Sequence, residues 1–142
     1  MATISLRRAR TMIRKALEHG RAEELKPLCA VVLDAGGNLI AAEREDGASP
    51  GRFDIARAKA YGAVMLDMPG SAQMARAEAQ AYFIACANGA LGGGLVPVPG
   101  GVLVKDNKGI TIGALGISGD ASDNDAAAAK AGIEASGLAA EV

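Results

Sequence analysis

The chain has 142 residues, enough for one domain with a single buried core. Its 15 Lys and Arg against 16 Asp and Glu nearly cancel, so no overall field draws in nucleic acid or an anionic membrane surface. Half the residues are hydrophobic, but two Phe, two Tyr and no Trp leave the core to Ala, Val, Leu and Ile and offer little for base stacking.

No stretch is long and apolar enough to span a bilayer, and Met1 to Arg10 lacks the apolar run of a secretory signal. The expectation is a cytoplasmic protein with neither a membrane nor a nucleic-acid partner.

Thr3 or Ser5 is placed to cap a first helix that runs to about His19 and stops at Gly20. Leu6, Ala9, Ile13, Ala16 and Leu17 recur at helical spacing as its buried stripe. Arg7, Arg8, Arg10, Arg14 and Lys15 fill the remaining positions and read as a solvated face. After Pro27, Leu28 to Asp34 is a short apolar strand. Ala35-Gly36-Gly37-Asn38 is a hairpin turn in which the glycines supply positive φ, and Leu39 to Arg44 returns. A polar loop then leads to a helix from Phe53 to Leu66. Asp67-Met68-Pro69-Gly70 breaks it, and Ser71 caps a third helix reaching about Ala87. On this reading Cys29 lies in a buried strand and Cys86 in a buried helix, as two free thiols.

The last third carries the densest pattern. A short strand is expected around Leu95 to Val98. Gly100 and Gly101 lead into another that ends near Asp106, Asn107-Lys108-Gly109 turns the chain, and Ile110 to Asp120 comes back with Gly113 and Gly116 inside it. Glycine inside a strand weakens it and marks a bulge or a close approach by another group. Ser122 caps the final helix, and Asp125, three positions on, closes a capping box. Two hairpins among helices give one α+β domain over residues 1–142, an antiparallel sheet with helices packed on its faces.

One His and two distant Cys do not make a zinc site of the usual ligand type, and no metal site is expected. Gly89 to Gly94 lacks the spacing of a phosphate loop. What remains is a polar set at strand ends and helix starts. Arg44 and Lys59 have the charge to hold a carboxylate. Gly100, Gly101 and Gly116, with Ser118, offer hydrogen-bond donors, and Asp46 or Asp125 can move a proton. The same residues have a structural reading: an Arg44–Asp46 pair, a Lys59–acid pair, and Asp125 as a helix cap. His19 suits a helix end, where the dipole favours a cation, and is also the candidate axial ligand for haem.

Asp34-Ala35-Gly36-Gly37-Asn38-Leu39, Arg44 to Ala48, Ile55 to Ala60, Val96 to Gly101 and Ile112 to Gly119 together resemble the GlcG/HbpS family. Ser122 to Asp125 and Ala131 to Ala135 extend the likeness in the same order, from about Pro27 to Leu138. The resemblance implies a profilin-like α-β-α sandwich assembled as a homo-oligomer, whether dimer, tetramer or octamer. It implies haem as the cofactor, since some members bind it, and it sets His19 where some of them carry a ligand. Other members are encoded beside catabolic enzymes. Two functions therefore stand open. One is a small-ligand protein that binds or handles haem. The other is an enzyme or accessory protein of a catabolic pathway, in which Arg44 and Lys59 orient an oxygenated acid or carbonyl compound and an Asp serves as acid or base.

Overall fold

A computed structural model describes residues 2–142. Helix α1 spans Leu6–Ala22, and Ser5 caps it by accepting the Arg8 N–H at 3.1 Å. It runs straight through Gly20, which is buried; a Cβ there would lie 2.7 Å from Leu28 Cδ1. Gly20 is thus a packing residue and not the helix stop. Strands β1 (Cys29–Asp34) and β2 (Leu39–Arg44) form the first hairpin. Asp34 Oδ1 accepts the N–H groups of Gly36 and Asn38, and only Gly37 takes a positive φ, 80°.

Helix α2 spans Arg52–Leu66, and the single third helix expected from the sequence is two: α3 (Gly70–Ala79) and α4 (Ala81–Ala90). The chain breaks at Gln80, whose φ of −143° and ψ of 68° are not helical. No Gly or Pro marks that point. Cys86, expected inside, is exposed on α4, whereas Cys29 is buried. Leu95 to Val98 is irregular rather than a strand. Strands β3 (Gly101–Lys105) and β4 (Thr111–Ser118) form the second hairpin, α5 spans Ser122–Ala135, and a three-residue β5 (Ala139–Glu141) closes the chain.

The five strands make one antiparallel sheet in the order β2-β1-β4-β3-β5. Side chains alternate across it, so each strand feeds two cores. Ala30, Val32, Val102, Leu115 and Ile117 face α1 and α5, while Cys29, Val31, Leu33, Leu103 and Ala114 face α2. The result is an α+β sandwich with helices on both faces, as expected. Gly101 and Gly116 are direct cross-strand partners under α2, and a Cβ on them would collide with Lys59 O and Ala56 O. Their bare backbone lets the helix main chain sit directly on the sheet.

Candidate functional site

The sheet end nearest the start of α2 gathers most of the polar residues singled out by the sequence. Arg44, Cys29 and Ser118 are cross-strand neighbours in one row. Arg52, in the first turn of α2, donates from Nη1 to Ser118 Oγ at 3.2 Å. Two turns further along α2 lies Lys59, whose Nζ donates to Ile117 O and to Asp125 Oδ2, both at 3.1 Å. Lys59 is 3% exposed and Asp125 fully buried. Burial pulls the Lys59 ammonium down from its ordinary range and pushes the Asp125 carboxyl up, and in each case the partner's opposite charge resists.

The capping box does not form. Ala121 is the N-cap residue of α5 and makes no side-chain cap bond. Asp125 instead reaches back with Oδ1 to accept the Asp120 N–H at 3.0 Å, which leaves Oδ2 for Lys59. Asp120 does much of the capping work. Its carboxylate accepts from Ala121 N, Asn124 Nδ2 and Lys26 N, each at 2.8 Å, and these bonds hold its pKa at about 2.

Arg44 and Lys59 are not brought together on a ligand. Arg44 lines a 410 Å³ cleft with Asp46, Arg21 and Glu43, and its Nη1 donates to Ala48 O at 2.6 Å rather than pairing with Asp46. Lys59, Asp125 and Ser118 line none of the described cavities. Gly100, Gly101 and Gly116 face α2, and Gly100 makes room for the Lys59 side chain. The Lys59–Asp125 pair is thus closed off from solvent, each partner offsetting the cost of burying the other's charge. Among the described residues, no three His, Cys, Asp or Glu side chains cluster to hold a metal ion.

His19 is half-buried near the end of α1. At 3.6 residues per turn it lies about 140° around the helix from Arg14. It is therefore on the flank toward α5, which packs antiparallel: Gly132 sits against Met12 and Ala16, and Ala135 and Ser136 lie beside Ser5 and Arg8.

The opposite flank of α1 holds a feature the sequence reading left as a solvated face. Arg7, Arg10, Arg14 and Arg21, with Leu6 and Leu17, line a groove of 970 Å³ between α1 and the end of β2. Its sequence signal was the spacing of Arg7, Arg10 and Arg14, three and four apart, which stacks them on one side of a helix.

The family described as HbpS-like, haem degrading protein HbpS-like, matches residues 4–134. The chain belongs to the HbpS-like family. Solved structures agree with this HbpS-like assignment. A crystal structure of a PduOC–haem complex is 25% identical, with a TM-score of 0.85 over 96% of this chain and 97% of that one. A double mutant of HbpS from Streptomyces reticuli is 27% identical, with a TM-score of 0.79 over 94% of this chain and 87% of that one. The Klebsiella pneumoniae protein ORFY, 23% identical with a TM-score of 0.83 over 96% and 92% of the two chains, shares the HbpS-like fold. No curated protein matches the chain by sequence. No helix among the described residues is long and apolar enough to cross a membrane.

Proposed function

We propose that this protein binds or handles haem, with the His19 imidazole as the iron ligand. The observation that carries the reading is the HbpS-like match over residues 4–134, together with the likeness to a haem complex along nearly the whole chain. His19 itself suits the role. Thr11, Lys15 and Arg21 on α1 use their side chains in hydrogen bonds, while His19 makes none among the described residues. Its ring nitrogens are therefore free to ligate iron. Arg8 lies three turns away on the same flank, placed for a propionate, and Lys15, one turn away, would reach one by exchanging its pair with Glu18. When bound, haem supplies a redox-active iron; the chain's part is to ligate it, hold the propionates and set solvent access.

His19 lines none of the described cavities, so a haem on this flank needs a second wall. A second copy of the chain supplies it in our reading, making the working unit a homo-oligomer. We assign the protein to the cytoplasm, where its two unpaired thiols suit a reducing compartment.

Haemin titration of the purified apoprotein tests the proposal. The expected result is a saturable shift of the Soret band that is lost or altered in His19→Ala. An unmoved Soret band in the wild type overturns the haem reading, and an identical shift in His19→Ala removes His19 as the ligand.

A further inference from the structure

The groove on the far flank of α1 plays no part in the haem reading and has its own chemistry. Of its four arginines, Arg7 and Arg10 make no ion pair among the described residues. Arg14 is 4.0 Å from Glu18, with both side chains exposed, and Arg21 holds Glu45 at 3.1 Å. Glu18 and Glu43 also line the groove; with Glu45 on Arg21, that sets four cations against three carboxylates beside Leu6 and Leu17, and Arg7 and Arg10 carry the unpaired charge. A solvated surface pair such as Arg14–Glu18 is worth little and is readily exchanged for another anion.

Strand β2 beside the groove is a sheet edge, paired on one side only, with β1. Glu45 N–H donates to Leu28 O at 2.9 Å. The antiparallel alternation that follows from this pair turns the Glu43 and Ala41 backbone inward to β1 and leaves the N–H and C=O groups of Ala42 and Arg44 facing outward. An open edge of this kind is a template for one more strand. From Leu6 to Arg21 the groove follows α1 for about 22 Å, and it meets β2 at Glu43, between Ala42 and Arg44.

The geometry points to an extended acidic peptide segment of a partner protein, added beside β2 as a sixth strand with its carboxylates on Arg7, Arg10 and Arg14. Main-chain bonds to Ala42 and Arg44 supply affinity for any extended chain. The arginine row selects an acidic one, and the leucines take up apolar side chains between the acids.

Fluorescence anisotropy with a labelled peptide of alternating Glu and Val tests this. Saturable binding is expected that weakens by about tenfold or more in the double variant Arg7→Glu/Arg10→Glu, and likewise in Ala42→Pro. The proline removes an outward-facing donor without touching the β1 ladder. The arginine substitutions change exposed side chains only, so they decide the matter even if Ala42→Pro is unstable. An alternating Glu-Pro peptide, unable to pair as a strand, is expected not to compete. Four results overturn the proposal: no binding of the Glu-Val peptide; undiminished binding in Arg7→Glu/Arg10→Glu; equal competition by the Glu-Pro peptide; or an oligomer that dissociates in Ala42→Pro, which would make a second copy the occupant of the edge.

Discussion

Lys59 and Asp125 join the two helical layers of the sandwich around the end of β4, through a buried ion pair of 3.1 Å. Lys59 belongs to α2 on one face of the sheet and Asp125 to α5 on the other, 66 residues later, and Ile117 O at the strand end completes the set. Removing one partner strands the other charge away from water. Lys59→Met is therefore expected to cost about 3–5 kcal/mol in urea denaturation. Lys59→Met combined with Asp125→Asn keeps an acceptor for the Asp120 N–H and is expected to recover at least half of that loss. If the double variant is as unstable as the sum of its singles, the pair is not coupled as described.

The glycine pair beneath α2 makes a second prediction. Gly116→Ala drives a methyl into Ala56 O, so it is expected to destabilise by about 1–3 kcal/mol or more through overpacking. Gly51→Ala meets nothing within 4 Å and serves as the control, with an effect within about 0.5 kcal/mol. Equal melting temperatures for the two variants would contradict the close seating of the helix.

Asp120 titrates at about 2 in the folded chain, against 3.8 for an ordinary Asp, because Asn124 and the Lys26 and Ala121 N–H groups bond its charged form. The unfolded chain binds this proton more readily, so the contribution of Asp120 is complete above about pH 4 and is lost as pH falls through about 2. Asp120→Asn should therefore show a shallower fall in stability across that window than the wild type. Parallel curves for the two proteins, followed by circular dichroism, would count against the network.

The two thiols are expected to separate cleanly. Cys86 is exposed, whereas Cys29 is buried in β1 and burial raises its thiol pKa. A maleimide reagent should label one cysteine in the native protein and both after denaturation, with Cys86→Ser abolishing the native reaction. Rapid native labelling of Cys29 would mean that the row Arg44–Cys29–Ser118 opens in solution.

Much of this fold was legible because its signals are local. The Ser5 cap, the Asp34 and Asp106 turns and the amphipathic stripe of α1 are each written within a few residues. Misread features depend on distant neighbours. Gly20 looked like a helix stop because its reason, Leu28, comes from the following strand. Asp125 looked like half of a capping box because Lys59, which claims its second oxygen, is 66 residues away. The break at Gln80 has no sequence marker, and nothing in the structure beyond its backbone angles explains it. Gly113 and Gly116 announced a close approach by something; that it was the backbone of a neighbouring strand at Gly113 and of α2 at Gly116 was not readable from local sequence.

Because α2 rests on paired glycines with its own carbonyls filling the space a side chain would take, there is no room to lend between that helix and the sheet. Scaffold and selectivity are consequently separable in this molecule. Exposed residues on the outer flank of α1, such as Arg7 and Arg10, can be exchanged without disturbing that seam.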